Sequence, residues 1–114
     1  MKGTKEMAIK YYVNEKKRQV IGIIDHTEWD AYNKIDKMVK GTNFVVIPDE
    51  KYKMPSRFKI VVTCDPSDKF DVEIGKEIAK TRVLRNYYAA LDKRIAKFVE
   101  DAELLNRKVF QIPE

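Results

Sequence analysis

Two apolar runs near the amino terminus, separated by a short polar stretch, are typical of a β-hairpin. Strand-forming side chains fill Met7–Val13 and return in Arg18–Ile24, while Asn14–Lys17 between them is polar. Two such runs joined by a short turn predict two paired strands. A glycine inside a strand indicates a bulge or the close approach of another part of the chain, and Gly22 is such a glycine.

The spacing of apolar residues changes to that of a helix after Asp25. Apolar side chains recur on one helical face at Trp29, Tyr32, Ile35, Met38 and Val39. Intervals of three and four residues predict an amphipathic helix. Thr27, with Asp30 three positions later, resembles an N-cap, and Gly41 is a stop signal. We expect this short helix to pack across the sheet.

Two further strands and a long helix complete the predicted order β-β-α-β-β-α. Asn43–Ile47 is a short apolar run, and Arg57–Thr63 carries the β-branched residues that strands favour. Helix-forming residues then continue to the end of the chain. We predict one helix, or two nearly continuous helices, that begin at Pro66 or Asp71 and end near Lys108.

These elements predict a single α+β domain over residues 1–114. It has a small antiparallel sheet at the amino terminus, one short helix, and a long carboxy-terminal helix or helix pair that forms an oligomer interface. A chain of 114 residues has the ordinary size of one domain. No internal repeat or Gly/Ser-rich linker marks a boundary within it.

Gly75 is a notable residue because it lies in the first turns of the predicted long helix, after an acidic turn that starts at Cys64. Glycine costs about 1 kcal/mol in a helix interior. We therefore expect another group to approach the backbone closely at this position. That group could be another helix or a ligand.

The long helix carries an apolar seam that favours self-association. Alternating spacings of four and three residues connect Leu84, Tyr88, Leu91, Ile95, Phe98, Ala102, Leu105 and Val109. A small sheet with one short helix cannot easily cover a helix of this length, so the seam is expected to meet a second copy or to fold back as a hairpin. The alternative is an ordinary core helix of a monomer.

Net charge and hydropathy limit the classes of partner that the protein is expected to bind. The net charge is +5, and its excess is spread evenly, at +3 in residues 1–56 and +2 in residues 57–114. An even spread argues against a dedicated nucleic-acid-binding arm, whereas an anionic small molecule is a reasonable partner. No apolar run approaches the roughly 20 residues that span a membrane. The first residues carry no apolar signal core, so we expect a cytoplasmic protein.

The sequence offers no residues for catalysis. The single cysteine, Cys64, has no partner at metal-ligand spacing, and the single histidine, His26, has no nucleophile beside it. Phosphate-binding, dinucleotide-binding and zinc motifs are not found. We therefore predict a protein that is not an enzyme, with no catalytic residues, no metal site and no cofactor.

A candidate anion site lies on one side of the long helix. At 100° per residue, an arginine shares a face with apolar and aromatic residues, the set being Ile74, Ile78, Thr81, Arg85 and Tyr88. A half-buried arginine needs an anion or several acceptors. Arg85 could instead pair with Glu77 or Glu73. Arg82 and Asn86 lie on the adjoining flank and could join the same rim.

Two residues outside the helix are further candidates. Arg57 opens the fourth predicted strand after a loop and is well placed for a ligand, although such arginines are also commonly solvated. Phe70 could stack on a purine, although a place in the core is the alternative.

Three segments resemble the phage Thoeris anti-defence protein 1 family. The segments are Tyr11-Tyr12-Val13-Asn14-Glu15-Lys16-Lys17-Arg18, then Met54-Pro55-x-x-Phe58, then Cys64-x-Pro66-x-Asp68-x-Phe70-Asp71-x-Glu73-x-Gly75-Lys76-x-x-Ala79. The resemblance covers residues 11–90. It implies a protein, active in an infected bacterial cell, that sequesters cyclic ADP-ribose isomers made by TIR-domain defence enzymes, and it implies cyclic trinucleotides as further ligands.

The resemblance also implies dimers built by the carboxy-terminal helices, with hexamers as a further assembly. The expected mechanism is sequestration without cleavage. Arg57, Arg82 and Arg85 would meet the diphosphate, because guanidinium groups match phosphate oxygens. Stacking on adenine would come from Tyr88 or Phe70, and Asn86 could read a ribose or base edge. The alternatives are a small phage nucleic-acid-binding regulator and an inhibitor that acts through protein–protein contacts.

Overall fold

The computed structural model describes residues 8–42 and 50–110, with side chains up to residue 104. Its strands and helices are β1 (Lys10–Asn14), β2 (Gln19–Asp25), α1 (Asp30–Val39), a short 3₁₀ helix (Glu50–Tyr52), β3 (Arg57–Thr63) and α2 (Val72–Phe110). The predicted α+β class, with a small sheet, one short helix and a long carboxy-terminal helix, is confirmed. The predicted strand Asn43–Ile47 lies outside the described residues.

The three strands form an antiparallel sheet in the order β1-β2-β3. The register places Ile21 of β2 between Tyr12 of β1 and Val61 of β3. Arg18 closes the hairpin turn with a positive φ of 55° and donates its backbone N–H to the Glu15 carbonyl at 3.1 Å. The predicted hairpin is therefore present, and β2 is the central strand.

Helix α1 begins later than the predicted cap. The N-cap residue is Trp29, and no side chain bonds to the free N–H groups at that end. Thr27 is buried instead, and its hydroxyl donates to the Pro55 carbonyl. The prediction of a cap at Thr27 is wrong, because this hydroxyl is used to join the end of β2 to the start of β3.

The described residues divide into two compact units, each made of separate stretches of the chain. The first contains residues 8–27 and 55–88. The second contains residues 28–42, 50–54 and 89–110. α2 is continuous over its 39 residues and contributes to both units. Within the described ranges, no helix is both long and apolar enough to cross a membrane.

In the first unit, the sheet packs against the first half of α2. Val20, Val62 and Ala79 form the buried centre of this contact. Farther along, Tyr87 meets Phe58 edge to face, with ring centroids 5.7 Å apart. Because Val62 lies near the end of β3 and Phe58 near its start, α2 runs back along the sheet antiparallel to β3.

Two glycines allow this helix to approach the sheet closely. A Cβ placed on Gly75 would lie 2.6 Å from Cγ2 of Val20, and a Cβ on Gly22 would lie 3.2 Å from Cβ of Ala79. The predicted close approach at Gly75 is confirmed. The approaching group is a side chain of the central strand, rather than another helix or a ligand.

In the second unit, α1 and the 3₁₀ helix pack against the second half of α2. Ile35 and Tyr52 are buried, and Ile95 and Phe98 pack against them. The Tyr52 hydroxyl donates to an Asp101 carboxylate oxygen at 3.0 Å. Two residues of the predicted self-association seam, Ile95 and Phe98, thus have partners within their own chain.

We expect Gly75→Ala to destabilise the protein. Alanine favours the helix by about 1 kcal/mol, but its Cβ would meet Val20 at a distance that forces the packing to shift, and overpacking costs about 1–3 kcal/mol. Urea unfolding measures the change. Val20→Ala removes the contacted methyl groups, so Gly75→Ala should cost less in that background. An equal cost in both backgrounds would contradict the close contact.

Candidate functional site

Two hollows meet at the start of α2 in the first unit, and both are lined by Ile74 and Ile78. One hollow, of about 350 Å³, lies beneath the loop that joins β3 to α2, and we call it the loop hollow. The other, of about 440 Å³, follows the exposed side of α2 from Glu73 to Arg85, and we call it the helix groove. The shared isoleucines make the two hollows adjacent.

The loop hollow has apolar walls and a polar rim. Val20 and Val62 line it from the sheet, Gly75 lines it from the helix, and Phe70 lines it from the loop. Carboxylates of the loop surround the opening, together with the thiol of Cys64.

Local sequence chemistry shapes the loop. Asp65 accepts hydrogen bonds from both the backbone N–H and the hydroxyl of Ser67, at 2.8 and 2.7 Å. The Ser67 hydroxyl and N–H hold the pKa of Asp65 below its ordinary value. Asp71 accepts from the N–H of Ile74 at 3.1 Å and so caps α2. Of the two predicted helix starts, the one at Asp71 is correct.

Arg18 holds this loop, and the sequence analysis did not single it out. Its guanidinium donates to the carbonyl oxygens of Asp68 and Asp65 and lies 5.8 Å from the ring centroid of Phe70. Its Nε is buried and has no hydrogen-bond partner in the described structure. The two ends of this contact are 47 or more positions apart along the chain, so no local pattern could have revealed it.

The helix groove is amphipathic. Ile74 is 59% exposed, the highest value among the large apolar residues described as exposed. Two carboxylates, Glu73 and Glu77, line its amino-terminal end, and two guanidinium groups, Arg82 and Arg85, line the other end. Over the residues whose side chains are described, none of these four charged groups forms an ion pair. The acids and the arginines are therefore all available to a partner.

The alternative pairing of Arg85 with Glu77 or Glu73 is not formed. These acids lie eight and twelve positions before Arg85, which corresponds to about 12 and about 18 Å along the helix axis. Among the residues whose side chains are described, no carboxylate forms an ion pair with this arginine. An arginine without an acceptor on an apolar face fits a site for an external anion.

The structure places the six predicted ligand residues in two regions. Phe70, Arg82 and Arg85 line the adjoining hollows. Asn86 and Tyr88 lie on the next turn of α2, and Tyr88 is 48% exposed. Arg57 lies at the far end of β3, about 20 Å from the loop hollow by strand length.

Arg57 has a partner of its own. Its Nε donates to Asp25 at 2.6 Å, and Lys10 lies 3.8 Å from the same carboxylate. The hydrogen bond from Arg57 holds the pKa of Asp25 below its ordinary value. This arginine joins the ends of two neighbouring strands, which is a sufficient structural reason for its presence.

The single histidine of the sequence lies apart from both hollows. His26 is exposed at the end of β2, with a positive φ of 61°, and it does not line either hollow. No cluster of three or more histidine, cysteine or acidic side chains is placed to hold a metal ion within residues 8–42 and 50–104. What the site offers is an aromatic ring, an apolar floor and two guanidinium groups.

Fold and hollows together define a small α+β protein whose candidate site lies on the first turns of one long helix. No protein-family model matches the chain, and neither a curated protein nor a solved structure matches it. The resemblance to the Thoeris anti-defence proteins therefore stays a prediction.

We expect the contribution of Asp25 to stability to be lost at low pH. Its pKa is lowered in the folded state, so this contribution is full above the unfolded value of about 3.9 and disappears as the pH falls through the folded value. The difference in unfolding free energy between the wild type and Asp25→Asn should shrink between about pH 5 and pH 2. In an Arg57→Ala background the same comparison should depend much less on pH, and an unchanged dependence would contradict the pairing.

Proposed function

We propose that the protein binds a cyclic nucleotide signal of the cyclic ADP-ribose type and retains it without cleaving it. One observation carries this proposal: a hollow with an aromatic wall adjoins a groove with two unpaired arginines, and both share an apolar floor of Ile74 and Ile78. A nucleotide needs these two environments side by side, because a flat base and a charged phosphate are held by different chemistry.

The base belongs in the loop hollow. Phe70 offers one ring, and base–aromatic stacking contributes about 1–3 kcal/mol per base. The guanidinium of Arg18 lies 5.8 Å from the centroid of that ring, which favours a fixed orientation of Phe70. Val20 and Val62 close the floor with apolar surface. A purine would thus find a ring to stack on and apolar surface beneath it.

The phosphates belong at the arginine end of the helix groove. Arg82 and Arg85 are three positions apart and therefore neighbours on the helix surface. Two guanidinium forks can bind a diphosphate through charge-assisted hydrogen bonds. Glu73 and Glu77, at the other end, can accept hydrogen bonds from ribose hydroxyls or an exocyclic amine. Asn86 and Tyr88 extend the same surface by one turn.

Retention rather than turnover is favoured by the groups that line the hollows. Cleavage of a glycosidic or phosphate bond needs a nucleophile or a general base within hydrogen-bond reach of its partner. The thiol of Cys64 lies against backbone carbonyls, 3.6 Å from that of Asp65 and 3.7 Å from that of Lys69. No imidazole lines either hollow to activate it.

The test is a retention assay with an arginine variant. The purified protein is incubated with a cyclic ADP-ribose isomer, unbound material is removed by filtration, and the protein is denatured to release what it held. We expect intact ligand from the wild type. Arg85→Ala should retain at least about tenfold less, because a charged hydrogen bond to phosphate contributes about 1.5–3 kcal/mol. Lys80→Ala, which removes one exposed cation from the same helix, serves as the control.

Three results would overturn the proposal. If the ligand passes freely through the filter in the presence of the wild-type protein, this class of signal is not its ligand. Cleaved ligand would identify an enzyme. Equal losses in Arg85→Ala and Lys80→Ala would show that net charge, rather than the helix groove, determines binding.

A second candidate function rests on the second unit. A groove of about 440 Å³ is lined there by Lys51, Lys93, Arg94 and Lys97, together with one acid, Glu100, which lies 4.0 Å from Lys97. Lys97 and Lys51 share Asp101 as an acidic partner, at 3.4 and 3.1 Å, so the groove keeps a positive excess. A basic groove of this kind fits a phosphate backbone, which would make the protein a small nucleic-acid-binding regulator.

Salt dependence separates the two functions. For a nucleic-acid binder, affinity for single- or double-stranded DNA should fall steeply as salt rises, and Lys93→Ala should reduce the logarithmic slope by about one. Fluorescence anisotropy measures both quantities. Binding that is weak at low salt and unchanged in Lys93→Ala would leave the small-molecule function as the only candidate of the two.

A further inference from the structure

We infer that the face of the sheet turned away from α2 is a binding site for single-stranded nucleic acid. Side chains alternate between the two faces of a sheet. Val20 and Val62 are buried against Ala79 of α2. The residues that alternate with them in the three strands form the opposite surface, which we call the outer face. This site is distinct from that of the proposed function and does not depend on it.

An apolar row crosses the middle of the outer face. The register places Ile21 of β2 between Tyr12 of β1 and Val61 of β3. Tyr12 is 54% exposed and Val61 is 43% exposed. Among the residues that the structure describes, no other ring and no cation stacks on Tyr12. An exposed ring of this kind is a surface on which an unpaired base can stack.

Two lysines lie one row farther along the outer face. Lys10 and Lys59 flank the buried Ile23 in the register, one from each neighbouring strand. Lysine stems can lie along apolar surface while their ammonium groups stay in solvent. Rows on the same face are about 7 Å apart. A phosphate of a nucleotide stacked on Tyr12 is therefore within reach of a lysine side chain.

The charge of the outer face favours a polyanion as the occupant. The outward positions of the three strands carry three cations, Lys10, Arg57 and Lys59, against one carboxylate, that of Asp25. Asp25 lies 2.6 Å from Arg57 and 3.8 Å from Lys10. Lys59 forms no ion pair over the described side chains. The positive excess would repel the same face of a second copy, whereas it attracts phosphates.

An unpaired strand fits the outer face better than a duplex does. Bases in a duplex offer only their edges to a protein, whereas an aromatic ring on a sheet surface stacks on the face of an unstacked base. On the other side of the apolar row, the Gln19 amide donates to the Thr63 hydroxyl at 3.3 Å. These two exposed polar groups can exchange that bond for hydrogen bonds to a base edge.

The outer face and the loop hollow lie on opposite sides of the sheet. Val20 and Val62 line the loop hollow, and both belong to the face that packs on α2. A strand bound on the outer face therefore leaves the loop hollow open. Because the two sites are separate, binding at one can be measured without the ligand of the other.

The role of the ring is tested by fluorescence anisotropy with a labelled oligothymidine strand. At low salt, the wild type should bind this strand more tightly than the same strand paired with oligoadenine. Tyr12→Val keeps a good strand former but removes the ring, so the affinity should fall about fivefold or more. Tyr12→Phe keeps the ring and should bind like the wild type. Circular dichroism verifies that each variant is folded.

The role of the lysines is tested by the salt dependence of the same binding. Two phosphate contacts give a logarithmic slope of about −1.4 on a single strand, and each lost contact reduces its magnitude by about 0.7. Lys59→Gln should show this reduction. Lys34→Gln removes an exposed lysine of α1 with the same change in net charge, and it should keep the slope of the wild type.

Four results would overturn the inference. The first is a wild type that does not bind the oligothymidine strand at low salt, or that binds the duplex equally well. The second is an unchanged affinity in Tyr12→Val. The third is a slope that falls in Lys93→Ala but not in Lys59→Gln, which would locate binding in the second unit. The fourth is binding to phosphatidylserine vesicles without binding to the strand. Failure of nucleotide retention affects none of these measurements, because they use no small ligand.

Discussion

The close packing of α2 on the central strand is the contact on which the rest of the first unit depends. Gly75 faces Val20 so closely that a Cβ would lie 2.6 Å from a methyl group, and Gly22 faces Ala79 in the same way. The helix and the sheet can pack this closely only because Gly22 and Gly75 carry no side chain. The free energy that glycine costs in the helix is offset by the burial of apolar surface that the close approach permits.

That approach also creates the candidate site. Because α2 packs directly on the sheet, the loop that joins β3 to α2 passes over the first residues of this helix. The space beneath that loop is the loop hollow. Arg18 keeps the loop in place through the carbonyl oxygens of Asp65 and Asp68. The side of α2 turned away from the sheet is left with Ile74, two acids and two arginines. The candidate binding surface is thus a consequence of this close packing.

Much of this could be predicted from residue patterns. The β-branched run Arg57–Thr63 is β3 with the same bounds, because such a run has few alternatives once turns flank it. The glycine at position 75 correctly indicated a close neighbour. Arg82 and Arg85 line one groove because they are three positions apart on one helix, whereas Arg57, which was predicted to join them, lies at the far end of β3. The identity of any ligand stays a proposal, because neither pattern nor fold specifies it.

The sequence by itself determined the order and type of β1, β2, α1, β3 and α2, since these follow from local periodicity and from turn and cap residues. Tertiary structure decided which side of the long helix is buried. Apolar residues occur on more than one side of α2, and only the shapes of Val20 and Ala79 against the two glycines select the stripe that meets the sheet. Tertiary structure also brought together residues that are distant along the chain, such as Arg18 with the loop between β3 and α2, and Arg57 with Asp25. Those contacts depend on how the strands and the helix pack, which no local pattern encodes.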